Sequence, residues 1–501
     1  MNIPAESKTF VERNESILIF LLCFVAALRV LIFSAAFPFF SNIDEDLHFD
    51  LITQYSHAQI PRSFDRLKEE TLNWIVPYAS PEFLFPPDHF SDGKFPPPLW
   101  KEPWLKVEPQ IASTRGAWSS EINFESSQPP LYYALASLWW WIGKQIGLVG
   151  IESLYWIRFL NAAIMAIVVW LGYVAARTIG PERLDLRIGV PLLLAFIPQN
   201  AFHAINNDVL SPLCFGALFL CVLQWLRTNA PSFLLGALTG LAVAATCLTK
   251  LSNLPLVAVT LAVIVAQCIA IILRTTRAGL IAVVALILCA AIPVGAWTLW
   301  TKFHFGDLTG SVAKITLLGW TRKPFGDWWQ HPIFTPRGVW IFWSDLLASF
   351  WRGEVSWHSR PLRWRGADGF YTVSSLLLFA AAAVGLRKHT GLSPFQRQAI
   401  GSAILIFLGG VVFLALLSIQ FDFGNCINPS REHPYFTSGR LLSGALIPFV
   451  VVYVYAVSWV LRRINTALPL VVLGLVVVFM TTSEILVDRV VFLSEHNWFH
   501  R

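Results

Sequence analysis

Apolar runs long enough to cross a lipid bilayer recur along the whole of this 501-residue chain. A spanning helix needs about 20 predominantly apolar residues, because inside lipid every backbone N–H and C=O must find its partner within the segment. About eleven such segments can be placed, at 17–40, 154–176, 188–205, 209–226, 232–251, 254–273, 279–300, 371–386, 399–420, 440–460 and 466–487. Only 14% of the residues are charged, too few to clothe a soluble protein of this length. The expected fold is all-α, a polytopic transmembrane helical bundle.

The net charge of +6 is modest, and the basic residues gather in short loops between spans. They therefore report orientation, and no nucleic-acid partner is expected; the partner implied is the lipid bilayer. Lys8 and Arg13 precede the first span. Arg177, Arg183 and Arg187, then Arg227, Arg274 and Arg277, then Arg387, Lys388 and Arg397, then Arg462 and Arg463 occupy alternate loops. All fall on one side when the N-terminus is cytoplasmic, as the positive-inside rule requires. The apolar, Trp-rich segment 131–146 would invert this parity as a full span, so it is expected to be an interfacial or re-entrant helix on the outer face. The first apolar run is too long for a signal-peptide core and reads as an uncleaved span. Six of the seven cysteines fall in spans and only Cys426 in a loop, so no disulfide framework is expected.

Three regions follow: an N-terminal transmembrane module over 1–300 that includes an outer loop at 41–153, an outer loop over 301–370, and a C-terminal transmembrane module over 371–501. Both outer loops are long and rich in Pro and Trp, which marks them as functional rather than as connectors. In the second, Val339, Trp340, Phe342, Trp343, Leu346, Leu347, Phe350 and Trp351 recur at helical spacing. They describe an amphipathic helix that either lies in the interface plane or packs on the bundle.

Polar groups collect on the outer side of this topology. Asp44, Glu45, Asp46 and His48 follow the first span directly, an expensive arrangement beside lipid that points to chemistry. Asn206, Asn207 and Asp208 form a turn between the third and fourth spans, Lys250 ends the fifth, Arg440 begins the tenth, and Arg158 begins the second. A carboxylate can take the proton of an attacking hydroxyl. Arg and Lys can hold a leaving phosphate, the first through a planar fork and the second as a point charge. Together these residue types suggest group transfer from a lipid-linked phosphate donor. The plainer alternatives are a polar turn at Asn206–Asp208, interfacial snorkelling by Lys250 and Arg440, and an anchor at Arg158. Arg29, inside the first span, calls for a buried partner, for which Glu484 in the last span is the candidate.

The order of these motifs resembles the GT-C class of membrane glycosyltransferases, and in particular a bacterial branch of predicted membrane proteins with a P-D-E-x-x-H-F motif in the first outer loop. Here that motif reads Ile43-Asp44-Glu45-Asp46-Leu47-His48-Phe49, with Ile43 in place of Pro. Pro129-Pro130-Leu131-Tyr132-Tyr133, Asn206-Asn207-Asp208, Thr249-Lys250 and Gly439-Arg440-Leu441 follow in family order, the last with Leu in place of Tyr. More distantly the chain resembles protein O-mannosyltransferases and lipid A aminoarabinose transferases. The resemblance implies a polyprenyl-phosphate-sugar donor and a glycan, lipid or protein acceptor of the cell envelope. It further implies inversion at the anomeric carbon and a periplasmic site in a bacterial inner membrane. It makes Asp44 the base, with Glu45 and His48 beside it, and gives the donor phosphate to Lys250 and Arg440, with Arg158 near them. No cofactor is certain; Asp44, Glu45 and Asp208 could offer oxygen ligands to Mg²⁺ or Mn²⁺. The competing readings are a transporter or flippase of envelope precursors, which would place charges along a path through the bundle, and a structural scaffold, which needs no acidic cluster.

Overall fold

The computed structural model describes residues 13–272, 277–388 and 391–500. Lys8 and Arg274, used above for orientation, and residue 273 lie outside the described residues. Among the described residues the chain is a helical bundle with four two-residue strands. Its helices are α1 (Glu15–Ala36), α2 (Glu45–Ser56), α3 (Glu69–Tyr78), α4 (Trp104–Trp118), α5 (Leu131–Gln145), α6 (Gly150–Ile179), α7 (Leu184–Ala195), α8 (Ser211–Arg227), α9 (Phe233–Thr249), α10 (Leu254–Ile272), α11 (Arg277–Phe305), α12 (Ser311–Leu317), α13 (Pro336–Arg352), α14 (Arg365–Lys388), α15 (Pro394–Gln420), α16 (Leu446–Leu461) and α17 (Leu468–Phe492).

Among the described residues, nine helical segments are long and apolar enough to cross a membrane. The other two expected spans are shorter. Helix α9 has 17 residues. The expected span 188–205 is a 12-residue helix, α7, that stops at Ala195. Pro198 accounts for the stop, since a proline disfavours helical backbone at the residue before it. A 3-10 turn at Asn200–His203 then carries the chain through the protein interior. Helix α5 has 15 residues, which at about 1.5 Å per residue falls well short of a ~30 Å hydrocarbon core. It packs on α2 and α6; Trp139 stacks on Trp156 with ring centres 4.3 Å apart, while Trp141 and Ile146 stay exposed.

Helix α13 resolves the two alternatives for the second outer loop. Phe342, Leu346, Leu347, Phe350 and Trp351 are buried, and Phe350 and Trp351 reach the aromatic cluster of Phe407, Phe449 and Tyr371. The helix thus packs on the bundle, and only its N-terminal half leaves Val339 and Trp340 exposed.

The two ends of the bundle differ in charge. At one end Arg187 pairs with Glu15 at 2.9 Å, Arg183 with Asp185 at 2.8 Å, and Gln396 donates to Glu182 at 2.9 Å. Several of the arginine loops therefore do converge. The C-terminal end of α1, the N-terminal ends of α6, α8 and α16 and the C-terminal end of α9 lie at the opposite end. Between the two ends, Arg29 of α1 meets Glu484 of α17, with Nε 2.9 Å from Oε2.

Candidate functional site

The site starts where α1 ends. Asp44 takes a left-handed conformation, φ 63° and ψ 26°, a region that Asp tolerates better than most residues because its short side chain can bond locally. That turn starts α2 and divides neighbouring carboxylates. Asp44 does not cap the helix; its Oδ2 accepts from Arg440 Nη2 at 2.8 Å. Glu45 turns inward instead. Its two oxygens accept from Arg158 Nε and Nη2, both at 2.7 Å, and also from the backbone N–H groups of Ile205 at 2.9 Å and Ser41 at 3.0 Å. Arg158 donates further to the carbonyls of Ser34, Phe37 and Pro38 and lies over the Phe39 ring. Both side chains of this pair are fully buried.

Arg440 is placed by backbone contact. A Cβ on Gly439 would lie 2.1 Å from the backbone nitrogen of Phe350, so only glycine lets the Gly439–Ala445 turn sit this close to α13. Arg440 Nη1 reaches Asp208 Oδ2 at 3.4 Å and the Ile43 carbonyl at 3.3 Å. Glu354 stands 3.5 Å from its Nε and also accepts from Ser438 Oγ at 2.8 Å. Gly353, at φ +90°, positions Glu354: a side chain there would run into Asn200 Oδ1. Burial pushes the Glu354 carboxyl above its usual range, against the opposing pull of Arg440. The other oxygen of Asp208 accepts from Lys250 Nζ at 2.6 Å. Asp208 is held by its turn, its own N–H donating to Asn206 Oδ1 at 3.0 Å. One continuous chain of charges results: Asp44, Arg440, Asp208, Lys250.

A second polar layer lies beside it. His48 Nδ1 shares a 2.8 Å hydrogen bond with the Tyr133 hydroxyl. Burial pushes its pKa down to about 4, so the ring is neutral at neutral pH. Asn207 Nδ2 approaches Tyr133 Oη, Gln128 Oε1 and the Thr249 carbonyl at 3.3 to 3.4 Å. Gln128 donates to Glu125, which pairs with Lys314 at 2.8 Å. Burial would raise the Glu125 carboxyl, but Lys314 together with His48 and Lys250 outweighs it and holds it below the ordinary range. Asp46 is half-buried, and burial followed by repulsion from Asp44 lifts its carboxyl to about 7.

Of the expected residues, the structure brings together Asp44, Asp208, Lys250 and Arg440, with Asn206 and Asn207 supporting the turn and His48 in the adjoining layer. It places Glu45 and Arg158 elsewhere. They are bound to each other within a closed shell of backbone groups. The expected oxygen ligands Asp44, Glu45 and Asp208 do not converge either. Arg440 stands between the first and third, and Glu45 faces Arg158. Among the described residues there is no group of three metal-ligating side chains placed to hold an ion. Sequence reasoning missed Glu354, Glu125 and Lys314. It also missed Asp50, a buried carboxylate that accepts from Gln54, Lys68, Thr71 and Asn123 and ties α2 to the outer loop. Tyr133 lay within a quoted motif, the one available signal.

The fold and this cluster define a polytopic integral membrane protein with a charged site at one end of its bundle. Residues 27–425 match the family described as predicted membrane protein DUF2142, and the chain belongs to that family. Arg440 lies just beyond the matched stretch. Among curated proteins none matches the sequence. Among solved structures, the chain is similar to an oligosaccharyltransferase of Archaeoglobus fulgidus. To its apo form it is 12% identical with a TM-score of 0.41, over 95% of this chain and 56% of that one. To the same organism's AglB in complex with an inhibitory peptide and a dolichol-phosphate it is 12% identical with a TM-score of 0.42, over 97% and 56%. The chain thus spans just over half the length of these structures.

Proposed function

We propose that this protein is a membrane glycosyltransferase that moves a sugar from a polyprenyl-phosphate donor to a cell-envelope acceptor. Its site would face the periplasm of a bacterial inner membrane. The observation that carries the reading is the Asp44–Arg440–Asp208–Lys250 chain, in which two enclosed cations and a partly open carboxylate meet at the ends of helices. A lipid carrier keeps its phosphate at that depth. In the reaction, an acceptor hydroxyl attacks the anomeric carbon and a new C–O bond forms. The bond from that carbon to the phosphate oxygen breaks, and its electron pair leaves on the polyprenyl phosphate. Asp44 takes the hydroxyl proton. Arg440 and Lys250 stabilise the charge that grows on the phosphate. Attack from the face opposite the phosphate inverts the anomeric centre.

The test is product formation by the purified protein in lipid nanodiscs, supplied with a panel of polyprenyl-phosphate sugars and envelope glycan or lipid acceptors. Transfer from at least one donor, lost in Asp44→Asn, is expected. Protein-dependent lipid flux with no transfer from any donor would instead support the flippase alternative.

A further inference from the structure

The end of the bundle remote from the site holds an open cavity of about 380 Å³, lined by Arg183, Tyr455, Ser458, Trp459, Arg462, Arg463 and Thr466. Its charge is unbalanced. Asp185 pairs with Arg183 at 2.8 Å and stands 3.8 Å from Arg462, so two of the three lining guanidiniums share one carboxylate. Arg463 lies over the face of Trp459, 4.5 Å from the ring centre.

Two enclosed donors in the same cavity have no partner. Tyr455 is 1% exposed, and neither its hydroxyl nor the indole N–H of Trp459 makes a hydrogen bond. Enclosed polar groups are ordinarily bonded, and leaving one unpaired is costly. Gly385 of α14 keeps them there: a Cβ at that position would lie 3.1 Å from both the Tyr455 hydroxyl and the Trp459 ring. A surplus of guanidinium beside unpaired O–H and N–H donors is a receptor for an anion with several acceptor oxygens. A phosphate group meets that description.

We propose that this cavity binds the phosphate of an anionic phospholipid headgroup. The lipid source follows from position. The cavity lies at the end of the spanning helices α14 and α16, where acyl chains and headgroups meet, and Val460 and Ile464, beside its lining residues in sequence, expose apolar side chains. The site is separate from the Asp44–Lys250 cluster and does not rest on the catalytic reading.

The experiment measures lipid binding to the purified full-length protein by native mass spectrometry and by the shift of its thermal midpoint. The probes are phosphatidylglycerol, phosphatidylcholine and inorganic phosphate. Phosphatidylglycerol is expected to bind and stabilise, and phosphatidylcholine to do neither. Tyr455→Phe and Trp459→Phe each remove one donor while keeping the ring; either should weaken phosphatidylglycerol binding about ten-fold with the lipid-free midpoint unchanged. The Arg462→Gln, Arg463→Gln double variant should abolish the preference for the anionic lipid. Equal binding of the two lipids, or Phe variants that bind phosphatidylglycerol like the wild type, would overturn the proposal. Binding of inorganic phosphate without phosphatidylglycerol would overturn the lipid assignment and leave a soluble anion as the ligand.

Discussion

Asp44 and Arg440 lie 396 positions apart in sequence, yet the carboxylate of one accepts from the guanidinium of the other at 2.8 Å. The contact joins the turn after the first span to the start of the tenth expected span. It also has a chemical consequence: in the proposed reaction a donor phosphate arriving at Arg440 competes with Asp44 for the guanidinium and releases the carboxylate. Asp44→Asn keeps the shape of the side chain, removes the base and frees Arg440 of a competing charge, so turnover should fall roughly 10²- to 10⁴-fold with no loss of donor affinity. Steady-state kinetics with a fixed acceptor separate the two effects, and unimpaired turnover would rule Asp44 out as the base.

Asp208 bridges Lys250 and Arg440, the two cations proposed to hold the donor phosphate. If the donor must displace it, Asp208→Asn tightens binding of undecaprenyl phosphate while Lys250→Ala weakens it. If Asp208 only orients the two cations, both variants weaken binding. The first pattern is the expected one, and a titration in nanodiscs reads the sign directly.

Glu45 and Arg158 should behave as a structural brace. Breaking a buried pair from one side leaves an unpaired charge and costs about 3–5 kcal/mol. Arg158→Met is therefore expected to collapse the folded yield, and Glu45→Gln in the same chain to restore part of it. Size-exclusion profiles in detergent report the outcome. A well-folded Arg158→Met protein that had lost only donor affinity would instead return Arg158 to the phosphate.

Gly439→Ala tests how Arg440 is placed. The added methyl meets the backbone of Phe350 rather than a flexible side chain, so the turn must shift. Overpacking of this kind costs about 1–3 kcal/mol. The expected result is a lower thermal midpoint together with a loss of turnover as Arg440 leaves Asp44. Ser438→Ala, which removes only a hydrogen bond to Glu354, should lower the midpoint less.

The first outer helix should show opposed pH responses. His48 has a folded pKa near 4, below its ordinary 6.5, so between those values the unfolded chain binds the extra proton and stability falls as pH falls. Asp46 has a folded pKa near 7, above its ordinary 3.8, so between those values the folded chain keeps the proton and stability falls as pH rises. Over pH 4 to 6.5 the two offset each other. Asp46→Asn should leave the His48 response alone, with a midpoint that climbs as pH is raised from 4 to 6.5. His48→Gln should leave the reverse slope, and midpoint scans across that range distinguish the two.

The helical bundle and the meeting of Asp44, Asp208, Lys250 and Arg440 were legible because each of these residues follows or precedes an apolar run, and counting runs assigns it to an end. Which of two adjacent acids faces the cluster was not legible. The left-handed turn at Asp44 decides it, sending Asp44 to Arg440 and Glu45 inward to Arg158, and no periodicity encodes that turn. Glu354 depends on the close approach of Gly353 to Asn200, and the Glu125–Lys314 pair joins two long loops with no repeating pattern; both are tertiary facts. The short α7 was within reach, since Pro198 sits inside the apolar run expected to span.

The Arg29–Glu484 pair bears on how the protein is made. The first transmembrane helix carries its guanidinium into the membrane when most of the chain is still unsynthesised, and the carboxylate that matches it lies 455 residues later. Until the final helix is inserted, that charge has to remain in the insertion machinery or reach for the headgroups. A chain truncated before α17 leaves it without its counterion. The pair thus closes only after both segments are in the membrane, so the charge on the first helix is settled by a part of the chain made long after it.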